Sequence, residues 1–212
     1  KSIVDTFAGS AEYVADTQPV TLFMAGSPGA GKTEVSKRLI AKFTHKPVRI
    51  DADEIRTLCP GYTGPNAHLF QRAAGKGVHT LYDYALHKDF NVILDGTFAY
   101  ADTEKTISRA LKHNRKVEIY FVYQDPLQAW NFTKKREEIE CRKVSKEVFI
   151  SSFLKSRENV NAAKQLFDNQ IELNLLIKDI SKNIEQLELN IATVDNYLKR
   201  VYTKGELDSL LI

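Results

Sequence analysis

The stretch Gly26-Ser27-Pro28-Gly29-Ala30-Gly31-Lys32-Thr33 has the spacing Gly-x-x-x-x-Gly-Lys-Thr of a phosphate-binding loop. An apolar, strand-like run (residues 20–24) precedes it, and residues 33–40 follow with apolar side chains at helical period. Glycines let successive backbone N–H groups point into one hollow, and the N-terminus of the next helix adds positive potential. We therefore predict that residues 26–33 bind the phosphates of a nucleotide.

Two side chains of this loop have individual predicted roles. Lys32 can reach the β- and γ-phosphates as a point charge, and the Thr33 hydroxyl is placed to ligate a bridging Mg²⁺. The alternative is a glycine-rich turn that matches by chance, but the apolar strand before the loop and the helix after it argue against that alternative. ATP and Mg²⁺ are the expected ligands.

Two further apolar runs end in carboxylates. Residues 47–51 end at Asp51, with Asp53 close behind, and residues 90–95 end at Asp95. The carboxyl ends of parallel strands are where open α/β sheets bind ligands, so these carboxylates are candidate site residues. Asp53 either takes part in the chemistry or caps the helix that follows it, and the sequence leaves both alternatives open.

A basic segment lies between Pro126 and Lys143. For most of its lysines we favour a solvated helix with Lys–Glu pairs. For Arg136 and Arg142 we favour function, because a kinase needs cations that close over the transferring phosphoryl group. We predict a lid segment at about residues 130–146.

The pattern of apolar runs predicts an α/β fold of the P-loop kinase type. It has three layers, with helices flanking a mostly parallel five-stranded sheet. The predicted strands are residues 20–24, 47–51, 90–95, 117–122 and 171–177. The 212 residues suit a single kinase domain, with an N-terminal helix (1–18), a core (19–178) and a C-terminal extension (179–212) of helices and polar connections.

Composition narrows the class of partner and compartment. A formal net charge of +3 is too small to indicate nucleic acid, and no apolar run approaches the ~20 residues that span a bilayer. The two cysteines, Cys59 and Cys141, lack metal-ligand spacing. We expect a cytoplasmic protein that binds neither nucleic acid nor membrane.

Taken together, these residues resemble the zeta toxin family, the kinase components of bacterial toxin–antitoxin systems, over about residues 18–178. The loop is similar to the family's loop, including Pro28, and Ile50-Asp51-Ala52-Asp53 is similar to its strand-end pair of aspartates. Asp95-Gly96-Thr97 stands where the family has an acidic residue followed by Gly-Thr, and more often Glu than Asp. Arg136 and Arg142 match the two lid arginines.

The resemblance implies ATP-dependent phosphorylation of the sugar 3-hydroxyl of UDP-N-acetylglucosamine, which interferes with cell-wall precursor synthesis. It implies that Asp53 is the general base, that Lys32, Arg136 and Arg142 complete the catalytic set, and that Asp53, Asp95 and Thr97 bind the acceptor. We also expect an inhibitory antitoxin partner or an inhibitory upstream segment. The rivals are another small-molecule or polynucleotide kinase of this architecture, or a nucleotide-dependent binding module.

Overall fold

The computed structural model describes residues 2–140, 143–179, 181 and 183–211. A central parallel strand, β1, carries the glycine-rich loop at its carboxyl end. The strands are β1 (Val20–Ala25), β2 (Val48–Asp51), β3 (Val92–Asp95), β4 (Lys116–Tyr123), β5 (Ile171–Lys178) and β6 (Ile184–Glu188). The α-helices are α1 (Ile3–Phe7), α2 (Lys32–Leu39), α3 (Ala52–Thr57), α4 (Gln71–His87), α5 (Thr103–Lys112), α6 (Pro126–Glu140), α7 (Lys146–Phe167) and α8 (Lys204–Leu210).

The sheet has the strand order β2-β3-β1-β4-β5-β6, and only the edge strand β6 runs antiparallel. β1 pairs with β3 on one side and β4 on the other, although β2 and β3 follow it in sequence. The chain thus turns to opposite sides of β1, which is the switch point where doubly wound sheets bind ligands. Asp51 and Asp95 are register partners on β2 and β3, so both carboxylates reach the same edge of the sheet.

Alternating side chains of β1 pack on opposite faces of the sheet. Phe23 and Ala25 lie in a buried cluster with α5 and α7, whereas Leu22 and Met24 lie in a cluster with Val35 of α2. Both faces are therefore covered by helices. The predicted three-layer α/β fold is confirmed, and all five predicted strands are present.

Three predicted elements were wrong in extent. The sheet has a sixth strand, β6, where the sequence suggested only connections and helices. The predicted helix over residues 1–18 is limited to Ile3–Phe7, and Val14 from its proposed apolar stripe is exposed. The helix expected from Asn66 begins as a 3₁₀ turn, and α4 starts at Gln71.

The C-terminal extension contributes to the buried interior. Leu207 and Leu211, in and after α8, pack with Phe149 and Phe153 of α7 and with Trp130 of α6. The predicted capping box at the start of α8 is confirmed, because Thr203 and Glu206 each accept from the other's backbone N–H. The base of the predicted lid is therefore packed against the C-terminal extension. No described helix combines the length and apolar character that crossing a membrane requires.

Candidate active site

The glycine-rich loop is held between α6 and β5. Gly29 and Gly31 have φ of 75° and 86°, a region that L side chains rarely adopt. A Cβ added at Gly29 would lie 2.0 Å from the carbonyl oxygen of Ala129, and one at Gly31 would lie 2.9 Å from Lys178 Nζ. Close packing on both sides therefore requires glycine at these two positions.

The start of α2 fits the phosphates of a nucleotide. Gly31 is its N-cap and has no side chain to satisfy the first N–H groups, which lack partners within the helix. Lys32 Nζ donates to the carbonyl oxygens of Gly26 (2.9 Å) and Ser27 (2.7 Å), so the ammonium lies against the loop. The N–H groups of a helix N-terminus and a nearby ammonium are the donor set that a phosphate tail needs.

Ser36 connects the loop helix to the predicted acceptor side. Its hydroxyl donates to Asp95 Oδ2 at 2.6 Å and lies 3.1 Å from the carbonyl oxygen of Thr33. Ser36 is fully buried and Asp95 nearly so. The Ser36 side chain thus links Asp95 to the backbone of Thr33, the predicted Mg²⁺ ligand.

Arg49 joins the carboxylates at the ends of β2 and β3. Its Nη2 donates to Asp95 Oδ2 (2.7 Å) and Asp51 Oδ2 (2.8 Å), its Nε donates to Asp95 Oδ2 (3.0 Å), and its Nη1 contacts Glu54. Burial raises the pKa of Asp51 to about 6, the charge of Asp95 adds to the rise, and Arg49 opposes it. For Arg49 burial acts in the opposite direction, but Asp95 and the other carboxylates raise its pKa. Asp51 and Asp95, at the ends of β2 and β3, are therefore linked by one shared cation, the Arg49 guanidinium.

Asp51 and Asp53 have separate environments. Asp51 is the N-cap of α3, because its Oδ1 accepts from the Asp53 N–H at 2.8 Å, so the alternative in which Asp53 caps this helix is wrong. Asp53 Oδ1 instead accepts from Arg56 Nη1 at 2.6 Å, and Arg56 also donates to Gln71. Arg56 is buried and Asp53 is partly exposed, so a buried cation fixes a carboxylate that solvent can still reach.

Thr97 lies beside the loop through its backbone. Its carbonyl oxygen accepts from the Gly26 N–H at 3.2 Å. The residues that follow are fixed by Asn159 of α7, whose Nδ2 donates to the carbonyl oxygens of Phe98 (2.8 Å) and Tyr100 (3.1 Å). The segment after Asp95 is therefore tied both to the phosphate loop and to α7.

Of the two predicted lid arginines, the structure describes Arg136. Arg136 is an exposed residue near the end of α6. Ala129 and Thr133, which approach Gly29, precede it by seven and three residues, so all three lie on one side of the helix. This direction points Arg136 along the side of α6 that contacts the loop. Arg142 lies outside the described residues.

The residues present fit a Mg²⁺ ion that is bound mainly through a nucleotide. Among the described residues, no group of three or more His, Cys, Asp or Glu side chains could form a metal cage. Mg²⁺ at a nucleotide site usually keeps several waters and takes only one or two protein ligands beside the phosphates. The Thr33 hydroxyl would ligate the Mg²⁺ ion directly. Asp95, which Ser36 links to Thr33, would contact the ion through a bound water.

Sequence reasoning missed three side chains that shape this site. Ser36 stands one helical turn after Thr33, which was a usable signal. Arg49 alternates with apolar residues on β2, and a charge within a buried strand could have been flagged as one that needs partners. Arg56 follows Asp53 at i,i+3 on α3 and gave the same kind of signal.

Comparison with known proteins agrees with this architecture. The zeta toxin family profile matches residues 4–187. Toxin PezT of Streptococcus pneumoniae is 28% identical over 103 residues, which are 45% of this chain and 41% of PezT, so the match spans less than half of that relative. The solved PezAT toxin–antitoxin structure from S. pneumoniae has a TM-score of 0.69 at 16% identity, covering 98% of this chain and 83% of that chain.

A second solved structure, the AvrRxo1-ORF1:-ORF2 complex, has a TM-score of 0.63 at 14% identity and covers 85% of this chain and 62% of its own. At these identities the structural likenesses establish the fold. The family profile goes further, since it spans most of the chain. This chain belongs to the zeta toxin family.

Proposed function

We propose that the chain is an ATP-dependent kinase that phosphorylates the sugar 3-hydroxyl of UDP-N-acetylglucosamine, and that it acts as a toxin by impairing cell-wall precursor synthesis. The observation that carries the kinase assignment is the hydrogen bond from Ser36 to Asp95. It joins the helix of a phosphate-binding loop to a group of strand-end carboxylates, so a phosphoryl donor and a hydroxyl acceptor can meet. The sugar nucleotide is the acceptor that family membership favours.

In this proposal the sugar 3-oxygen attacks the γ-phosphorus of ATP in line. A new P–O bond forms, the bond from the γ-phosphorus to the β,γ-bridging oxygen breaks, and ADP leaves. Asp53 accepts the hydroxyl proton, while Arg56 holds its carboxylate in place. Asp95 and Thr97 orient the acceptor.

Charge on the phosphates is balanced by this chain's cations. Lys32 lies on the loop and would turn from the loop carbonyls to the β- and γ-phosphate oxygens. Arg136 and Arg142 would close over the γ-phosphoryl group. The Thr33 hydroxyl would hold a Mg²⁺ ion, which would supply further positive charge to the phosphates when bound.

An inhibitory partner belongs to the same proposal. The PezAT structure comes from a toxin–antitoxin system, and a kinase that damages the cell's own precursors must be restrained. We propose that a separate antitoxin or an inhibitory upstream segment blocks the nucleotide site. Comparing growth inhibition by this chain with and without each candidate inhibitor tests this part.

The decisive experiment for the proposed function is mass spectrometry of UDP-N-acetylglucosamine incubated with protein, ATP and Mg²⁺. We expect a product heavier by one phosphoryl group, with ADP formed in equal amount. Other UDP-sugars, nucleosides and oligonucleotide ends serve as parallel acceptors. Phosphoryl transfer to one of these compounds alone would identify it as the acceptor in place of UDP-N-acetylglucosamine. Tight ATP binding with no transfer to any acceptor would favour a nucleotide-dependent binding module.

A further inference from the structure

We propose that Lys178 is a nucleotide-binding residue that contacts the α-phosphate, an inference that rests on the proposed function. Lys178 is the last residue of β5, and its side chain is only 2% exposed. Its Nζ donates to Glu34 Oε2 at 2.8 Å and would lie 2.9 Å from a Cβ placed on Gly31. A buried ammonium therefore borders the phosphate-binding loop.

The position of Glu34 relates this ammonium to the inner phosphate. Glu34 is the third residue of α2, so its backbone N–H belongs to the first turn of the helix, at the end that borders the loop. N–H groups at this end of the loop surround the α- and β-phosphates, whereas Lys32 serves the outer pair. Lys178 thus approaches the loop from the Gly31 side, while Ala129 of α6 approaches it from the Gly29 side.

Comparison with a second buried lysine shows why a structural role alone does not account for Lys178. Lys164 Nζ donates to the carbonyl oxygens of Asp168 (2.8 Å) and Ile171 (2.9 Å) and to Asn190 (3.4 Å), so its three donors are satisfied within the fold. Among the described residues, Lys178 Nζ donates to one acceptor, the half-exposed carboxylate of Glu34. A buried charge with one such partner contributes little stability. Phosphate oxygens would supply the missing acceptors.

This role predicts opposite effects for the two members of the ion pair. Lys178→Met removes a charge-assisted hydrogen bond to the nucleotide and should weaken Mg²⁺-ADP and Mg²⁺-ATP binding alike, by about tenfold or more. Glu34→Gln removes a negative charge beside the phosphates and releases the ammonium, so it should tighten ADP binding. A lysine that only fastens α2 to β5 predicts weaker binding in both variants.

The test is calorimetric titration of ADP and ATP into the full chain at one ionic strength. Lys37→Met, a charge loss at an exposed position of the same helix, is the matched control and should bind as the wild type does. Weaker binding by Lys178→Met with tighter binding by Glu34→Gln supports the inference. Unchanged binding by a folded Lys178→Met, or equal weakening in both variants, overturns it. If Lys178→Met does not fold, Glu34→Gln decides: tighter binding supports the inference, and unchanged or weaker binding overturns it.

Nucleotide binding by the wild type separates this inference from the proposed function. A wild type that binds ATP but transfers to no acceptor would contradict the proposed kinase activity, and the contrast between Lys178→Met and Glu34→Gln could still be measured on ADP. A wild type that binds neither nucleotide would overturn both.

Discussion

The hydroxyl of Ser36, on α2, donates to Oδ2 of Asp95, at the end of β3, at 2.6 Å, and both residues are buried. Ser36→Ala should leave α2 intact, because alanine favours helix, but it removes one donor from a buried carboxylate. We expect about 1–3 kcal/mol of lost stability in urea unfolding. Because Asp95 would no longer be held beside Thr33, the Mg²⁺ concentration for half-maximal activity should rise.

Ser151→Ala supplies the comparison for that prediction, since Ser151 is an exposed residue of α7. It should change neither the unfolding curve nor the Mg²⁺ dependence. A Ser36→Ala protein with wild-type Mg²⁺ dependence would show that the link between Asp95 and the loop helix has no part in metal binding.

Asp53 and Arg56 give a prediction about the general base. Asp53→Asn keeps an oxygen for the 2.6 Å contact with Arg56 but cannot accept a proton. We expect turnover to fall by on the order of 10² to 10⁴, while ATP binding stays nearly unchanged. Asp102→Asn, at an exposed aspartate, controls for the change of charge. Normal turnover by Asp53→Asn would move the base role to another residue.

The position of the glycine-rich loop between β1 and α2 could be predicted because its information is local. Eight consecutive residues carry it, and the flanking patterns of β1 and α2 are enough to place it. The contacts around it join distant parts of the chain. Arg49 and Asp95 are separated by 46 positions, and Lys178 and Glu34 by 144, so no local spacing reveals that they meet.

The errors in the fold have related physical causes. Apolar spacing extends through residues 1–18, but α1 ends at Phe7 and Gly9 follows within two residues, so the apolar positions beyond it are not one helical stripe. β6 is a partly exposed edge strand whose side chains give a weak alternation. Such strands depend on pairing with a neighbour, here β5, more than on their own pattern.

Arg136 follows Thr133 on the side of α6 that approaches Gly29, and this arrangement predicts a specific effect of its removal. Arg136→Ala should lower turnover by on the order of 10² or more, because a cation that stabilises the transferring group is worth several kcal/mol. The ATP dissociation constant should change much less. Single-turnover kinetics with saturating ATP measures the chemical step directly.

Lys135→Ala is the matched control for Arg136→Ala. Lys135 is exposed on the same helix and precedes Arg136 by one residue, so its side chain leaves the helix in a different direction. We expect turnover close to that of the wild type. Equal losses from both variants would mean that α6 contributes general positive charge and that Arg136 has no individual role.

Asp51 predicts how stability depends on pH. Burial first, and then the charge of Asp95, raise its pKa from 3.8 to about 6 in the folded protein, despite Arg49. The folded state therefore binds this proton more tightly than the unfolded state, so the contribution of Asp51 to stability falls as pH rises from about 4 to about 6. Above that window the cost is at most about 3 kcal/mol.

Asp51→Asn isolates this contribution, because asparagine also serves as an N-cap for α3 but carries no charge. In urea unfolding between pH 4.5 and pH 7, the stability of Asp51→Asn relative to the wild type should increase with pH. Asp16→Asn is the control of opposite sign, because hydrogen bonds from the Gln18 backbone and from Asn91 lower the pKa of Asp16. Its difference from the wild type should be constant over this range, since Asp16 stays ionised. A constant difference for Asp51→Asn as well would mean that Arg49 keeps Asp51 ionised throughout this range.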